Sequence, residues 1–412
     1  MKISWSLLTI SILIIVTPAV NGQVTSLDSG PLLQFFRHAR QFLYDFMEGS
    51  TNQQQHLKRN IQEQTVQRQV NSEENFICDT QGPGRRSDQV PESVHKLRPG
   101  DIDIIGAIGD SLTAGLGLLA TNVLEVFTEN RGAQMTGGGQ GTWRQFLTIP
   151  NILKEFNPKL YGYTERNSLS THRASKFNVA EGGAMSRDTP HQARNLVLRM
   201  KSDPNVDMEK HWKFVSYFIG GNDFCLDMCY DAPEKIVENH DRELTDVLRT
   251  LRDNLPRTMV SIILAPSIRI LMDTVGEPPE CVSTHYLECP CFYSLHNKPH
   301  RNRFLRVIED FKKRQWVVAN RDEFHNKTDF TVIVQPFTDK MTIPRKKNGL
   351  TDFTYMSRDC FHLSQKAQGQ AANACWNNIL EPYGKKSHTW TKIFENFKCP
   401  TEERPYLATR FN

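Results

Sequence analysis

One serine in this chain sits in a setting suited to nucleophilic catalysis. Gly109-Asp110-Ser111-Leu112 follows directly on an apolar run, residues 102–108. A serine at the carboxyl end of a strand, flanked by glycine, stands where a nucleophile meets a substrate. The same four residues also suit a turn or a helix N-cap. A serine hydroxyl needs a base, and the base needs a carboxylate to orient it. Asp359-Cys360-Phe361-His362 supplies both from one turn. The Asp-x-x-His spacing recurs at Asp188/His191 and Asp322/His325, so spacing alone does not choose. Charge developing on an attacked carbonyl oxygen needs donors. Gly182-Gly183-Ala184 offers a closely approachable backbone N–H, and Gly220-Gly221-Asn222-Asp223 offers the Asn222 side-chain amide.

The elements that must position these groups alternate along the chain. Apolar runs at 102–108, 176–180, 214–219, 259–264 and 330–334 read as strands. Segments 191–201, 234–255, 301–324 and 364–380 read as helices. This alternation predicts an α/β fold with three α/β/α layers and a mostly parallel five-stranded sheet. In such sheets the ligand lies outside the carboxyl ends of the strands. Ser111, Gly183 and Asn222 follow three successive strands. Only Asp359 and His362 follow the last strand, in a loop leading into the last helix. Asp322/His325 precede that strand, at the sheet's opposite edge, and Asp188 is placed to cap a helix; both pairs read as structural. The catalytic candidates are therefore Ser111, Asp359 and His362. The oxyanion donors are the N–H groups of Ser111 and Gly183 and the Asn222 amide. Acyl transfer by this set needs no metal or organic cofactor.

Composition narrows the class. In 412 residues, 50 Lys+Arg against 46 Asp+Glu give a net charge of only +4, which does not suggest a nucleic-acid binder. Residues 1–22 read as a secretory signal peptide, with Lys2, an apolar run at 5–20 and a cut before Gln23; the run is short for a membrane span. The tail, 400–412, is polar and shows no anchor signal. Nine cysteines fit an oxidising compartment. Cys225 with Cys229 and the trio Cys281, Cys289 and Cys291 form local groups; Cys360 and Cys375 are further candidate partners, and Cys78 and Cys399 lie far apart. The odd total leaves at least one thiol outside internal pairs. Asn326-Lys327-Thr328 is a glycosylation sequon that fits secretion. Residues 23–75 differ from the rest. Leu32, Phe35, Phe36, Ala39, Phe42, Leu43, Phe46 and Met47 share one helical stripe, followed by a Gln-rich stretch at 53–69. The stripe suits docking on the main domain or contact with a lipid surface, and the stretch reads as a flexible or helical linker. The expected catalytic domain is 76–399.

Ser111, Gly183, Asn222 and His362 resemble, in order, the four residues that name the SGNH (GDSL) hydrolases. Longer strings are similar to the animal membrane-associated phospholipase B branch of that family. They include residues 94–102 (VHKLRPGDI), Gly141-Thr142-Trp143-Arg144, residues 147–153 (LTIPNIL), Phe156-Asn157-Pro158, Asn178-Val179-Ala180-Glu181, Gln192-Ala193-Arg194-Asn195-Leu196, and residues 376–382 (WNNILEP). The likeness covers roughly residues 76–384. It implies a flavodoxin-like sheet and a phospholipase or lysophospholipase that releases fatty acids through an acyl-Ser111 intermediate. It also implies transient membrane-surface contact. Two departures stand out. Gly182 replaces the proline expected in that branch. The better-known members carry tandem repeats and a C-terminal anchor, whereas this chain has one unit, which favours a secreted enzyme. Rival readings are an esterase acting on carbohydrate acetyl esters, thioesters or other lipid esters, a non-catalytic lipid-binding protein, and a metallohydrolase built on Asp110, Asp223 and Asp359.

Overall fold

The computed structural model describes residues 30–48, 53–230 and 232–412. The expected signal peptide, 1–22, lies outside the described residues. Four strands, β1 (Ile102–Gly109), β2 (Trp212–Phe218), β3 (Thr258–Ile263) and β4 (Phe330–Gln335), pair in parallel in that order. Every strand residue is buried, so the strands read as apolar runs rather than as an alternating pattern. The longer helices are α1 (Gly30–Glu48), α2 (Gln53–Gln62), α3 (Ile149–Phe156), α4 (Thr189–Ser202), α5 (Lys235–Asn254), α6 (Pro279–Glu288), α7 (Arg301–Ala319) and α8 (Gln365–Leu380).

Strand side chains alternate between two cores. Ile105, Phe214, Met259 and Ile333 pack with Ile152 and Phe156 of α3 and Ala372 and Trp376 of α8. Ile104, Val215, Val260 and Val332 pack on the other face with α4, α5 and α7. Helix α4 buries Ala193, Leu196, Val197 and Met200, and α5 buries Leu244, Val247, Leu248 and Leu251. Both sets follow the i, i+3, i+4, i+7 spacing of a core-facing stripe. Ser364 caps α8 by accepting from Ala367 N–H. These layers are the expected three-layer α/β/α fold.

Residues 176–180 lie where the fifth strand was expected, but pair only briefly. They make one parallel bridge, Asn178 to Ala107, along the free edge of β1. Ala107 N–H donates to Phe177 O, Val179 N–H to Ala107 O and Glu181 N–H to Gly109 O, and the pairing stops where Gly109 N–H turns to Gln192 Oε1 at 2.9 Å. The Asn178 and Ala180 carbonyls, which alternate away from β1, accept from the buried Arg131 guanidinium. The segment still lies outside β1 while β2 lies on the other side. The chain order therefore reverses at β1, and the crevice at its carboxyl end is the expected ligand site. The helix expected over 301–324 also divides. Helix α7 ends at Ala319, where the Asn320 side chain donates to Trp316 O, and a separate turn spans Asp322–Phe324.

Packing extends past both expected domain boundaries, 76 and 399. The Gln-rich stretch, expected as a flexible or helical linker, is helix α2 followed by a strap that is buried rather than free. Asn60, Val66 and Gln67 are buried. Gln67 N–H donates to Gln365 Oε1, Gln67 Nε2 donates to Trp143 O, and Leu147 N–H donates to Gln67 Oε1, all within 3.0 Å. At the other end, Leu407 N–H donates to Leu97 O at 2.7 Å, and Leu407 and Ala408 are buried. Gln67→Ala strands the Leu147 donor in the core, so we expect a loss of about 2 kcal/mol in urea unfolding. An unchanged midpoint would show that the strap is dispensable.

Helix α1 docks on the main domain with polar contacts. Arg37 and Arg40 pair with Glu181, Gln41 meets His172, and Tyr44 donates to Asn167 O. Ala39 and Phe42, on the apolar stripe, are exposed. Ion pairs to the buried Glu181 carboxylate help to hold this helix on the domain.

Candidate active site

The strand ends bring the distant residues together. Gly109 closes β1 where a Cβ would fall 2.3 Å from Thr113 Oγ1 and 2.5 Å from Phe218 O, so only glycine fits. Asp110 then caps the single helical turn Ser111–Ala114 by accepting from Leu112 N–H at 2.9 Å. Burial raises the Asp110 carboxyl to about 7. Ser111 sits at the first position of that turn and is 5% exposed.

His362 Nε2 lies 2.7 Å from Ser111 Oγ, and His362 Nδ1 lies 2.6 Å from Asp359 Oδ2. The other Asp359 oxygen accepts the N–H groups of Phe361 and His362, each at 3.0 Å. Asp359 and His362 share a loop closed by Ser357 N–H donating to His362 O and by a bridge between Met356 and Leu363. Against burial, the imidazole charge and these hydrogen bonds hold Asp359 below the usual carboxylate range. Burial works against an imidazolium at His362, but Asp359, with Glu288 and Asp110 beyond, outweighs it and raises His362 to about 9. The arrangement suits proton transfer from serine to imidazole, with the carboxylate fixing the tautomer.

Gly183 has φ +79°, a left-handed conformation that glycine adopts without strain. Asn222 follows β2, is 6% exposed, and donates from Nδ2 to Ala184 O at 2.9 Å. That bond uses one of its two amide hydrogens and ties the Asn222 turn to the Gly183 loop. Glu181, just before the glycines, accepts from Ser170 Oγ at 2.6 Å and pairs with Arg40, which anchors the loop from behind. An apolar cleft opens at Ser111. Ile268, Leu271, Met341, Met356, Phe361 and Leu363 line it with Asn222.

The other Asp-x-x-His pairs lie elsewhere. Asp188 accepts from Met185 N–H. His325 hydrogen-bonds Thr331 Oγ1 and Ala319 O, below the amino end of β4. Asp110, Asp223 and Asp359 do not converge as ligands. Among the described residues, the grouping within ligand reach is Glu288, Asp359 and His362, whose atoms lie within 4.8 Å of one another.

Glu288 was not legible in the sequence. It is brought in by disulfides: Cys281–Cys360 ties α6 to the triad loop, while Cys225–Cys289 and Cys229–Cys291 tie the next residues to the turn after Asn222. Cys78–Cys399 closes the chain's ends. Cys375 is the free, buried thiol, so Cys360 pairs with Cys281 rather than with it. Thr284 also donates to Asp359 O, and His285 bonds Cys360 O. Burial raises Glu288 to about 8. A neutral His362 is the form able to accept the serine proton. Activity should therefore rise with pH through a limb above the ordinary imidazole range of about 6.5. Glu288→Gln removes an anion that favours the imidazolium, so the limb in kcat/KM should move to lower pH. A limb that stays in place would show that Glu288 is neutral throughout.

The chain belongs to the GDSL-like lipase/acylhydrolase family, whose model matches residues 105–375. With that family it falls among the carboxylic ester hydrolases. It is 35% identical over 343 residues to mouse (Mus musculus) "Phospholipase B1, membrane-associated", across 82% of this chain and 23% of that protein. The human (Homo sapiens) protein of the same name is 35% identical over 340 residues, with the same coverage of 82% and 23%. The chain thus spans about a quarter of the length of the curated relatives it matches. A solved structure described as a candidate platelet activating factor from Streptococcus pneumonia aligns over 67% of this chain and 82% of its own, at 14% identity and TM-score 0.29. Among the described residues no helix is long and apolar enough to cross a membrane.

Proposed function

We propose that this chain is an extracellular phospholipase and lysophospholipase that releases fatty acids through an acyl-Ser111 intermediate. The observation that carries this reading is the Ser111–His362–Asp359 relay opening onto an apolar cleft. His362 takes the serine proton as Ser111 Oγ attacks the ester carbonyl, while Asp359 holds the imidazole and stabilises its charged form. The N–H groups of Ser111 and Gly183 and the free amide hydrogen of Asn222 receive the oxyanion. His362 returns its proton to the leaving alcohol. Water, deprotonated by the same histidine, then cleaves the acyl ester and frees the fatty acid. The apolar lining suits an acyl chain better than a sugar acetate, which needs polar partners for its hydroxyls. Transient contact with a membrane surface follows from a lipid substrate. Four disulfides, the leader-like residues 1–22 and the exposed sequon at Asn326 support an extracellular setting. The catalytic domain is proposed to be 76–399, with the 60–70 strap and the tail packed on it.

The test is fatty-acid release from phosphatidylcholine carrying differently labelled acyl chains, beside the Ser111→Ala variant. Release of both chains, lost in the variant, is the expected result. No release, with Ser111-dependent cleavage of a small acetyl ester, would keep the triad and move the substrate away from lipids.

A further inference from the structure

The turn that carries Gly183 is not held at the glycine itself: among the described residues, a Cβ built there would meet nothing within 4 Å. The residues just after it fix its direction. Ala184 N–H donates back to Glu181 O at 3.1 Å, and Met185 N–H donates to Asp188 Oδ2 at 2.9 Å. Ala184 O is held by the Asn222 amide. Ser186 N–H is held by Asp223, whose two carboxylate oxygens each lie 3.1 Å from it. Ser186 Oγ lies 2.8 Å from Nδ1 of His240, a buried ring of α5 stacked on Phe311 of α7. Two consecutive residues, Asn222 and Asp223, thus grip the Gly183 loop at alternate positions. Asp223 is itself anchored. It opens the helical turn Asp223–Asp227, which Cys225–Cys289 and Cys229–Cys291 staple at its middle and its end.

A carboxylate is a costly way to satisfy one buried N–H. Asp223 is 4% exposed, and a backbone carbonyl would serve the same donor without burying a charge. Asp223 also adjoins Asn222, so its charge lies next to where the reaction gathers negative charge on the attacked oxygen. What the carboxylate adds is direction, because acceptor oxygens on both sides of one N–H leave it little room to turn. We propose that Asp223 is a positioning residue: by holding Ser186 N–H, it sets the direction in which Gly183 N–H meets the oxyanion. The inference rests on the acyl-Ser111 reading above. Asn222 offers a donor directly, whereas Asp223 acts through the loop. Its acceptor oxygens carry the role, and its charge does not.

The experiment measures kcat and KM of the full chain on a soluble butyrate ester. It also measures inhibition by butylboronic acid, which mimics the tetrahedral adduct on Ser111. Asp223→Ala should lower kcat by about tenfold to a hundredfold with KM little changed, the effect of misplacing one donor. Boronate affinity should fall in parallel, because both readouts report on the oxyanion. Asp223→Asn keeps an acceptor oxygen for Ser186 N–H and should restore kcat to within about threefold of the parent. Asp223→Ala orphans a buried N–H, so Ser186→Pro/Asp223→Ala replaces it if the single variant does not fold. Ser186 opens a helical turn after an extended Met185, where proline fits. Donor and acceptor then leave together, and the same fall in kcat is expected. With boronate inhibition lost in Ser111→Ala, an unchanged kcat on removing the Asp223–Ser186 bond would overturn the positioning role alone. A fall confined to KM, or an asparagine variant as slow as the alanine one, would also overturn it. Boronate inhibition that survives Ser111→Ala would instead sink the acyl-serine reading, and the role of Asp223 with it.

Discussion

Replacing Ser111 with alanine should lower kcat on every ester substrate by about 10⁴-fold or more, with the unfolding midpoint unchanged. The geometry sets both halves of this expectation. Ser111 Oγ is the atom 2.7 Å from His362 Nε2, so its removal leaves the imidazole without an oxygen to activate. The same change deletes one hydrogen bond and little volume, and the cap from Asp110 to Leu112 N–H remains. His362→Ala should cost about as much, and the double variant little more, because the two act as one unit. Rates measured on a short-chain ester, with circular dichroism as a control for folding, check this. An active Ser111→Ala protein would overturn the acyl-serine mechanism.

Asn222→Ala should lower kcat by about 10²- to 10³-fold with KM little changed, the effect of losing one oxyanion donor. Two roles meet at this side chain. One amide hydrogen holds Ala184 O, and with it the Gly183 turn. The other is available to the substrate. The fall should therefore exceed that of substitutions that only loosen the loop, such as Arg40→Ala, which removes a partner of Glu181. Equal falls in both variants would make Asn222 a scaffold for Gly183. Unchanged kinetics would remove it from the oxyanion hole.

The sequence by itself placed the residues that sit at strand ends. Ser111, Gly183 and Asn222 each follow an apolar run, and a parallel sheet gathers all such ends on one edge. Order along the chain therefore stood in for position in space. The same logic separated Asp359/His362 from Asp322/His325, which the fold sends to the other end of β4. The four strands that form were legible because a strand buried on both faces is a continuous apolar run. Segment 176–180 runs beside β1 as expected, but its pairing is short, because Gly109 N–H is taken by Gln192, a partner distant in sequence and unmarked by any local pattern. The burial of Gln67 was not legible for a similar reason: burial of a polar residue depends on partners that only folding supplies. Helix α1 was legible from its apolar stripe, whereas its ion pairs with the buried Glu181 needed the tertiary structure. Glu288 needed the tertiary structure entirely. The pairing of Cys281 with Cys360 sets its approach to the triad, and cysteine spacing alone does not encode which sulfurs meet.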